Sequence, residues 1–121
     1  GRTVRLIIRA HRERAALFAH DLFSDPAWDI LMEAYAALVN QEPISVVGLC
    51  SASGVAESTA ARWIRKLEAE EWLVRVQDPL DGRRSWMQLS QKGYEAMDAY
   101  FATLCSALSR TKVSAMTASR R

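Results

Sequence analysis

The sequence contains few of the residues that carry covalent or metal chemistry. Two cysteines and two histidines occur in 121 residues. Cys50 and Cys105 lie far apart, and neither His11 nor His20 has a partner at metal-ligand spacing. No serine–histidine–aspartate arrangement, glycine-rich phosphate loop or suitably spaced pair of carboxylates can be identified. We therefore expect a protein that is not an enzyme, holds no metal and needs no cofactor.

Long apolar runs and targeting signals are also missing. No run approaches the roughly 18 residues that cross a bilayer, and Arg5 interrupts the short run Val4–Ile8, which lacks a cleavage site. Without a secretion signal, the two cysteines are expected to stay reduced. Cys50 lies among apolar residues, which predicts a small buried side chain, with a redox-sensing thiol as the alternative. We expect a cytoplasmic protein without a membrane partner.

The chain does have enough apolar residues for a core, and its charge is unevenly placed. Half of its residues are hydrophobic, which at this length predicts one domain. The net charge is only +2, but residues 1–14 carry five Arg and one Glu, and residues 110–121 carry four basic groups and no acid. Residues 21–42 carry five acids and no Lys or Arg. This segregation favours a polyanion such as DNA as the partner, and solvated faces of opposite charge are the alternative.

Apolar spacing predicts two N-terminal helices. Apolar residues recur at steps of three and four from Val4 to Phe23, and again over Pro26–Asn40. The segment Ser24-Asp25-Pro26 predicts a break between them, in which Asp25 caps the second helix. His11 falls on the apolar stripe of the first helix, which predicts a satisfied core or interface histidine.

Residues 44–93 predict a helix-turn-helix followed by a basic hairpin. Ser45 can cap a first helix over Val46–Ser53, and a second helix is expected over about Ala56–Glu70. Two strands follow, joined by the turn Pro79–Gly82. A helix with exposed polar side chains beside a hairpin with two arginines can touch the same length of DNA. This arrangement is typical of a winged helix-turn-helix.

The last predicted helix is expected to mediate dimerisation. It follows the cap Ser90, ends near Arg110 and repeats apolar residues at alternating steps of three and four, which is a heptad seam. Such a seam needs a partner helix, either the first helix of the same chain or a helix of a second copy. Residues 111–121 are mostly small, polar or basic and are expected to form a flexible tail. The expected dimer interface consists of Ile8, His11, Phe18, Tyr94, Met97, Phe101, Leu104 and Leu108.

The second helix of the motif is the predicted reading element, because its N-terminal half enters the major groove in such folds. Arg62 is long enough for a guanine edge, and Ser58 and Thr59 can bind bases or phosphates. Arg65 and Lys66, one turn further on, are expected to meet phosphates. An ordinary exposed helix face is the alternative. The predicted DNA-contacting residues of this helix are Ser58, Thr59, Ala61, Arg62, Arg65 and Lys66.

The hairpin turn is the second predicted DNA contact. We assign Arg83 to the minor groove or the DNA backbone. Arg84 is assigned to an internal ion pair with Asp81 or Asp78 that fixes the shape of the hairpin. The reverse order of the two arginines remains open.

Four segments follow a recognisable pattern: Ser58-Thr59-Ala60-Ala61-Arg62-Trp63-Ile64-x-x-Leu67-Glu68, Leu73-Val74-Arg75, Asp78-Pro79-x-Asp81-Gly82-Arg83-Arg84 and Leu89-Ser90-x-x-Gly93. Together they resemble the MarR family of winged-helix transcriptional regulators. The likeness covers about residues 26–110, and residues 21–29 are also similar to winged-helix proteins of sphingomonad-type bacteria. It implies a homodimer formed by the terminal helices, with each recognition helix in a major groove of a pseudo-palindromic operator, and release from DNA by a ligand or by oxidation. Glu71 departs from the family pattern, which often has Gly at the end of the recognition helix.

The sequence as a whole predicts a mainly α fold with a small β-hairpin wing. We expect one winged helix-turn-helix domain over 1–121 that binds double-stranded DNA sequence-specifically as a homodimer and regulates transcription. A small-molecule effector is possible, but nothing in the sequence identifies it. The alternatives are a winged-helix module that binds protein, or a nonspecific architectural DNA binder. The expected parts are N-terminal helices over 1–42, the winged-helix core over 44–93, a dimerisation helix over 90–110 and a tail over 111–121.

Overall fold

The computed structural model describes residues 2–18 and 25–119, and within these ranges it leaves the side chains of 13–18 and 111–119 undescribed. The described chain is mainly helical with one two-stranded antiparallel sheet, which confirms the expected fold class. The elements in order are α1 (Arg2–Phe18), α2 (Pro26–Val39), α3 (Val46–Ala52), α4 (Glu57–Ala69), β1 (Leu73–Gln77), β2 (Ser85–Leu89) and α5 (Gln91–Ser119).

Helix α2 is the centre of the fold. Asp25 accepts a hydrogen bond from the backbone N–H of Trp28 at 3.3 Å, and Pro26 occupies the first turn, which confirms the predicted start. The helix contacts α1, α3, α4, α5 and β2. Its buried residues include Ile30 and Met32, which are 0% and 1% exposed. Because α2 lies under both the helix-turn-helix and α5, it fixes their relative positions.

Helix α1 is attached to α2 by apolar contacts and by ion pairs. Val4 and Ile8 are buried in the core. Arg5 pairs with Glu33 at 2.8 Å, and His11 Nε2 lies 3.1 Å from a carboxylate oxygen of Asp29. The prediction that His11 has a polar partner within the fold is therefore confirmed. The sequence spacing did not indicate that this partner is Asp29. Residues 19–24, which include the expected end of the first helix and the start of the predicted break, lie outside the described residues.

The apolar seam of α5 packs on α2 of the same chain. The ring of Tyr35 stacks on those of Phe101 and Tyr94, with centroid distances of 4.9 and 6.2 Å. Trp28 and Tyr100 meet edge to face at 4.9 Å. The seam of α5 therefore packs on α2, the second helix. The two partners expected from the sequence were the first helix and a second copy of the chain. The spacing of a seam shows that a helix needs a partner but does not identify it.

Helix α5 is longer than expected. It continues to Ser119, so the predicted end near Arg110 is wrong. The segment from Thr111 to Ser119 contains neither Gly nor Pro, and it includes two alanines and a methionine, which favour helix. The small and polar residues of this segment predict a flexible tail by composition, but none of them stops a helix.

The hairpin is anchored at its base by apolar side chains. Its register pairs Leu73 with Leu89 and Arg75 with Met87, and an isolated bridge joins Ile44 to Met87. The side chains of Leu73, Met87 and Leu89 are buried in the core. The other end of the hairpin projects beyond the core as a wing.

The described residues also bear on membrane insertion, metal binding and thiol chemistry. None of the helices in the described ranges is both long and apolar enough to cross a membrane. Among the described residues, no three His, Cys, Asp or Glu side chains come together as metal ligands. The predicted burial of Cys50 is confirmed, and burial, followed by the charge of Glu57, raises the pKa of its thiol. A raised pKa leaves less of the reactive thiolate near neutral pH.

Candidate nucleic-acid interface

Helices α3 and α4 form the helix-turn-helix. Ser45 caps α3 by accepting the N–H of Gly48 at 3.0 Å. Gly54 follows the end of α3 with φ of +76°, a conformation that glycine adopts without strain. The hydroxyl of Ser53, which is fully buried, donates to the carbonyl of Cys50 at 2.6 Å and closes the turn. These contacts define both ends of α3 and the turn that leads into α4, and the two helices pack against each other.

Helix α4 has one buried and one exposed face. Ala60, Ile64 and Leu67 are at most 5% exposed and pack into the core, as their spacing predicts. The predicted DNA-contacting residues occupy the other side. The exposed ones are Ser58, Arg62, Arg65 and Lys66, while Thr59 and Ala61 are half-buried.

The cations on the exposed face of α4 are available to a partner. The described residues provide no ion pair for Arg62 or Arg65 within the chain. Lys66 has its ammonium group 5.2 Å from the ring centre of Trp63, which fixes the side chain without neutralising its charge. This face of α4 therefore presents three uncompensated positive charges.

The C-terminal end of α4 is held by the first turn of α5. Glu71 has φ of +65°, where the family pattern often has Gly, and Trp72 donates its N–H to the carbonyl of Leu67 at 2.9 Å. The hydroxyl of Ser90 donates to the carbonyl of Glu71 at 2.6 Å. Lys92 donates to the carbonyl of Glu70 at 3.0 Å and lies 4.0 Å from the ring centre of Trp72. The departure at Glu71 thus leaves the turn intact.

An ion pair ties the wing to α4. Arg75 on β1 binds both carboxylate oxygens of Glu68, at 2.9 and 3.4 Å, and lies 3.4 Å from the hydroxyl of Ser85. The sequence does not indicate this pair, because the two residues lie on different elements, a helix and a strand joined by a turn. The side chains are 45% and 25% exposed, so we expect a contribution below about 1 kcal/mol to stability. Its role is to orient the wing relative to α4.

Two aspartates shape the turn of the wing. Asp78 accepts the N–H of Leu80 at 2.8 Å, and Asp81 accepts the N–H of Arg83 at 3.0 Å. The side chain of Gln77 also donates to the carbonyl of Gly82 at 2.7 Å. Both carboxylates therefore stabilise the turn by accepting hydrogen bonds from its backbone.

The ion pair of the wing involves a different arginine from the one that the sequence predicts. Nε of Arg83 lies 3.6 Å from a carboxylate oxygen of Asp81, although the Arg83 side chain is 95% exposed. For Arg84, the described residues contain no ion pair. The prediction that Arg84 forms the internal pair is wrong, because the turn directs Arg83 toward Asp81. Both arginines remain exposed at the same end of the wing.

The residues expected at a dimer interface do not share one environment. Ile8, Met97 and Phe101 are at most 3% exposed within the single chain, so its own core already covers them. Tyr94 and Leu104 are half-buried, and Leu108 is 50% exposed. His11 is paired with Asp29, as described above. The side chain of Phe18 lies outside the described residues.

Residues 23–85, which are more than half of the chain, match the model of the MarR family. This range includes α2, the helix-turn-helix and the wing turn. No curated protein matches the chain significantly.

Solved structures share the fold. The structure of S. aureus MepR bound to ethidium bromide is 21% identical, with a TM-score of 0.62 over 91% of this chain and 77% of that one. A crystal structure of an S. aureus MepR–DNA complex is 17% identical, with a TM-score of 0.55 and full coverage of both chains. A MarR-like transcriptional regulator from Thermotoga maritima is 21% identical, with a TM-score of 0.55 over 67% of this chain and 57% of that one. At these identities the likeness establishes the winged-helix fold.

Proposed function

This chain belongs to the MarR family of transcriptional regulators, and on that premise we propose that it binds a specific DNA site as a homodimer and regulates transcription. The members of this family are regulators and not enzymes. The observation that carries the proposal is the set of uncompensated cations on α4 beside the basic end of the wing. A module that binds protein would have no need for these charges.

Base recognition is assigned to the first two turns of α4. Arg62 is exposed and unpaired among the described residues, so its guanidinium can bind the O6 and N7 edge of guanine. Ser58 and Thr59, one turn earlier, can bind bases or phosphates with their hydroxyl groups. Ala61 can contact a thymine methyl group. These four residues would carry the sequence preference.

Phosphate binding is assigned to the second half of α4 and to the wing. Arg65 and Lys66 lie one turn beyond Arg62, toward the end of the helix that is further from the groove floor. Arg83 and Arg84 would bind at the minor groove or the backbone next to it. Since each of these cations displaces counterions from DNA, the affinity should fall steeply as salt is added.

The terminal helices are the proposed dimer interface. In this assignment, Leu104 and Leu108 provide accessible apolar surface on α5, while Ile8, Met97 and Phe101 support it from the core. We retain the division into N-terminal helices over 1–42 and a winged-helix core over 44–93, with the dimerisation helix extended to the end of α5. A dimer would place two copies of α4 on two half-sites about one helical turn of DNA apart.

A small-molecule effector is compatible with the fold. The similar MepR structures were solved with DNA and with ethidium bromide. In this chain an apolar cavity of about 200 Å³ is lined by residues of α2, of α5 and of the turn that ends α4. A ligand there would touch Trp72, whose backbone forms part of that turn. We place the protein in the cytoplasm, where the DNA is. The cavity is lined by Trp28, Leu31, Trp72, Gly93, Ala96, Met97 and Tyr100.

The test is selection from random-sequence duplex DNA, repeated at two salt concentrations. We expect an enriched palindromic site and a steep loss of affinity at the higher salt concentration. A steep salt dependence without an enriched site would indicate a nonspecific architectural binder. No binding at low salt would reject the DNA-binding function and favour a module that binds protein.

A further inference from the structure

The tip of the wing is a turn held together by several hydrogen bonds within the chain. Pro79 fixes its own backbone angle, and the next residue is held by the hydrogen bond from Leu80 N–H to Asp78 at 2.8 Å. The N–H of Arg84 donates to the carbonyl of Asp81, and the N–H of Asp78 donates to that of Arg84, both at 3.0 Å. The loop therefore presents a side chain at its tip with little freedom of the backbone.

That side chain is apolar. Leu80 is 96% exposed, and the next most exposed large hydrophobic residue in the described part of the chain is Val47, at 64%. Leu80 lies in the turn between Asp78 and Asp81, whose carboxylates accept the backbone N–H groups of Leu80 and Arg83. The two exposed arginines, Arg83 and Arg84, follow directly after this turn. The end of the wing thus combines an apolar projection with two cations.

An apolar side chain beside two arginines fits the minor groove of DNA, which the wing is already expected to approach. The minor groove of DNA attracts arginine through its negative potential, and its walls are the apolar faces of the sugars. Apolar side chains, including leucine, enter this groove in other DNA-binding proteins and contact base steps. Strand β1 contacts α4 and strand β2 contacts α2, and the Glu68–Arg75 pair adds a polar link between the wing and α4. The tip would therefore reach a groove position that depends on where α4 binds.

We propose that Leu80 is a specificity-determining residue that enters the minor groove and selects A·T pairs beneath the wing. The inference rests on the proposed function, because it requires that α4 and the wing bind the same duplex. In this proposal Leu80 contributes sequence preference at the wing, where the arginines alone would contribute affinity.

The chemical basis is the amino group that distinguishes the pairs in the minor groove. A G·C pair presents the 2-amino group of guanine as a donor, whereas A·T and T·A pairs present only acceptors. The side chain of Leu80 has no hydrogen-bond acceptor. On a G·C pair it would displace the water that accepts from the 2-amino group and would offer that group no new partner. A donor buried without an acceptor is costly, which should reduce binding to G·C at this position by about tenfold.

The experiment changes the minor groove and leaves the major groove as it is. In the selected operator, adenines in the flanks beneath the wing are replaced by 2,6-diaminopurine, which adds the 2-amino group. In a second duplex, G·C pairs at the same positions are compared with inosine·C, which lacks it. The dissociation constants are measured for the wild type, Leu80→Ala and Leu80→Met. Val76→Ala is the matched control, since Val76 is a 40% exposed apolar residue on the strand of the same wing.

We expect the wild type, Leu80→Met and Val76→Ala to bind the duplexes that carry the 2-amino group about tenfold more weakly. For Leu80→Ala, this ratio should fall to about twofold or less. A ratio that is the same in Leu80→Ala and the wild type, or no discrimination in the wild type, would overturn the role of Leu80 while leaving the proposed function intact. A failure of every variant to bind any duplex would reject the proposed function and this inference with it.

Discussion

Gly93 lies where the first turn of α5 approaches the end of the recognition helix, and replacing it by alanine should destabilise the protein. An added Cβ would lie 2.5 Å from the backbone oxygen of Trp72, about 0.9 Å closer than an ordinary contact. That oxygen belongs to a turn that the first residues of α5 hold in place, so relief requires movement of a helix. Overpacking of this kind costs about 3 kcal/mol, and the better helix propensity of alanine recovers about 1 kcal/mol. The net loss of about 2 kcal/mol should lower Tm by about 8 °C.

Urea denaturation followed by tryptophan fluorescence measures this loss. Gly82→Ala is the matched control, because the nearest heavy atom to its added Cβ is the flexible end of Gln77 at 3.3 Å. We expect the control to unfold within about 0.5 kcal/mol of the wild type. If Gly93→Ala were equally stable, the close approach of α5 to the turn after α4 would be refuted.

Three further predictions concern contacts around the core and the wing. Glu71→Gly should stabilise the protein by about 0.5–1 kcal/mol in the same urea assay, since glycine adopts the positive φ without strain, and an unchanged midpoint would contradict this. Burial, reinforced by the hydrogen bond to Asp98, raises the pKa of Tyr35 from 10.0 to about 12. The phenol proton is therefore lost first in the unfolded chain, so the contribution of Tyr35 to stability should be retained below pH 10 and lost between pH 10 and 12. Tyr35→Phe should make the fall in stability over this range smaller while costing about 1 kcal/mol at lower pH, and a fall as steep as that of the wild type would contradict this. A double-mutant cycle on Glu68 and Arg75 should give a coupling below about 1 kcal/mol, and a coupling above 2 kcal/mol would show a more buried pair than the structure has.

Local signals predicted the helix starts and the core faces well. Asp25, Ser45 and Ser90 were identified as caps, and each accepts a hydrogen bond from the first turn of its helix. The buried face of α4 also followed from its spacing, because a helix can bury residues at steps of three and four on only one side. These features depend on residues within one turn of each other.

The features that were missed depend on residues far apart in the sequence or on weak end signals. The pairing of His11 with Asp29 and of Glu68 with Arg75 requires knowledge of which elements meet. The partner of the α5 seam was not identified for the same reason. The end of α5 was placed too early because a run of small residues resembles a tail in composition while still favouring a helix. The order of the wing arginines depended on the geometry of a single turn.

The central claim is that α4 reads bases with its first half and binds phosphates with its second. The most direct measurement is the affinity of the wild type, Arg62→Ala and Arg65→Ala for the selected operator and for a scrambled duplex over a range of salt concentrations. We predict that Arg62→Ala loses about 1–3 kcal/mol on the operator and much less on the scrambled duplex. Arg65→Ala should lose similar amounts on both and reduce the salt slope by about 1. Equal losses on both duplexes for Arg62→Ala would contradict its assignment to base recognition.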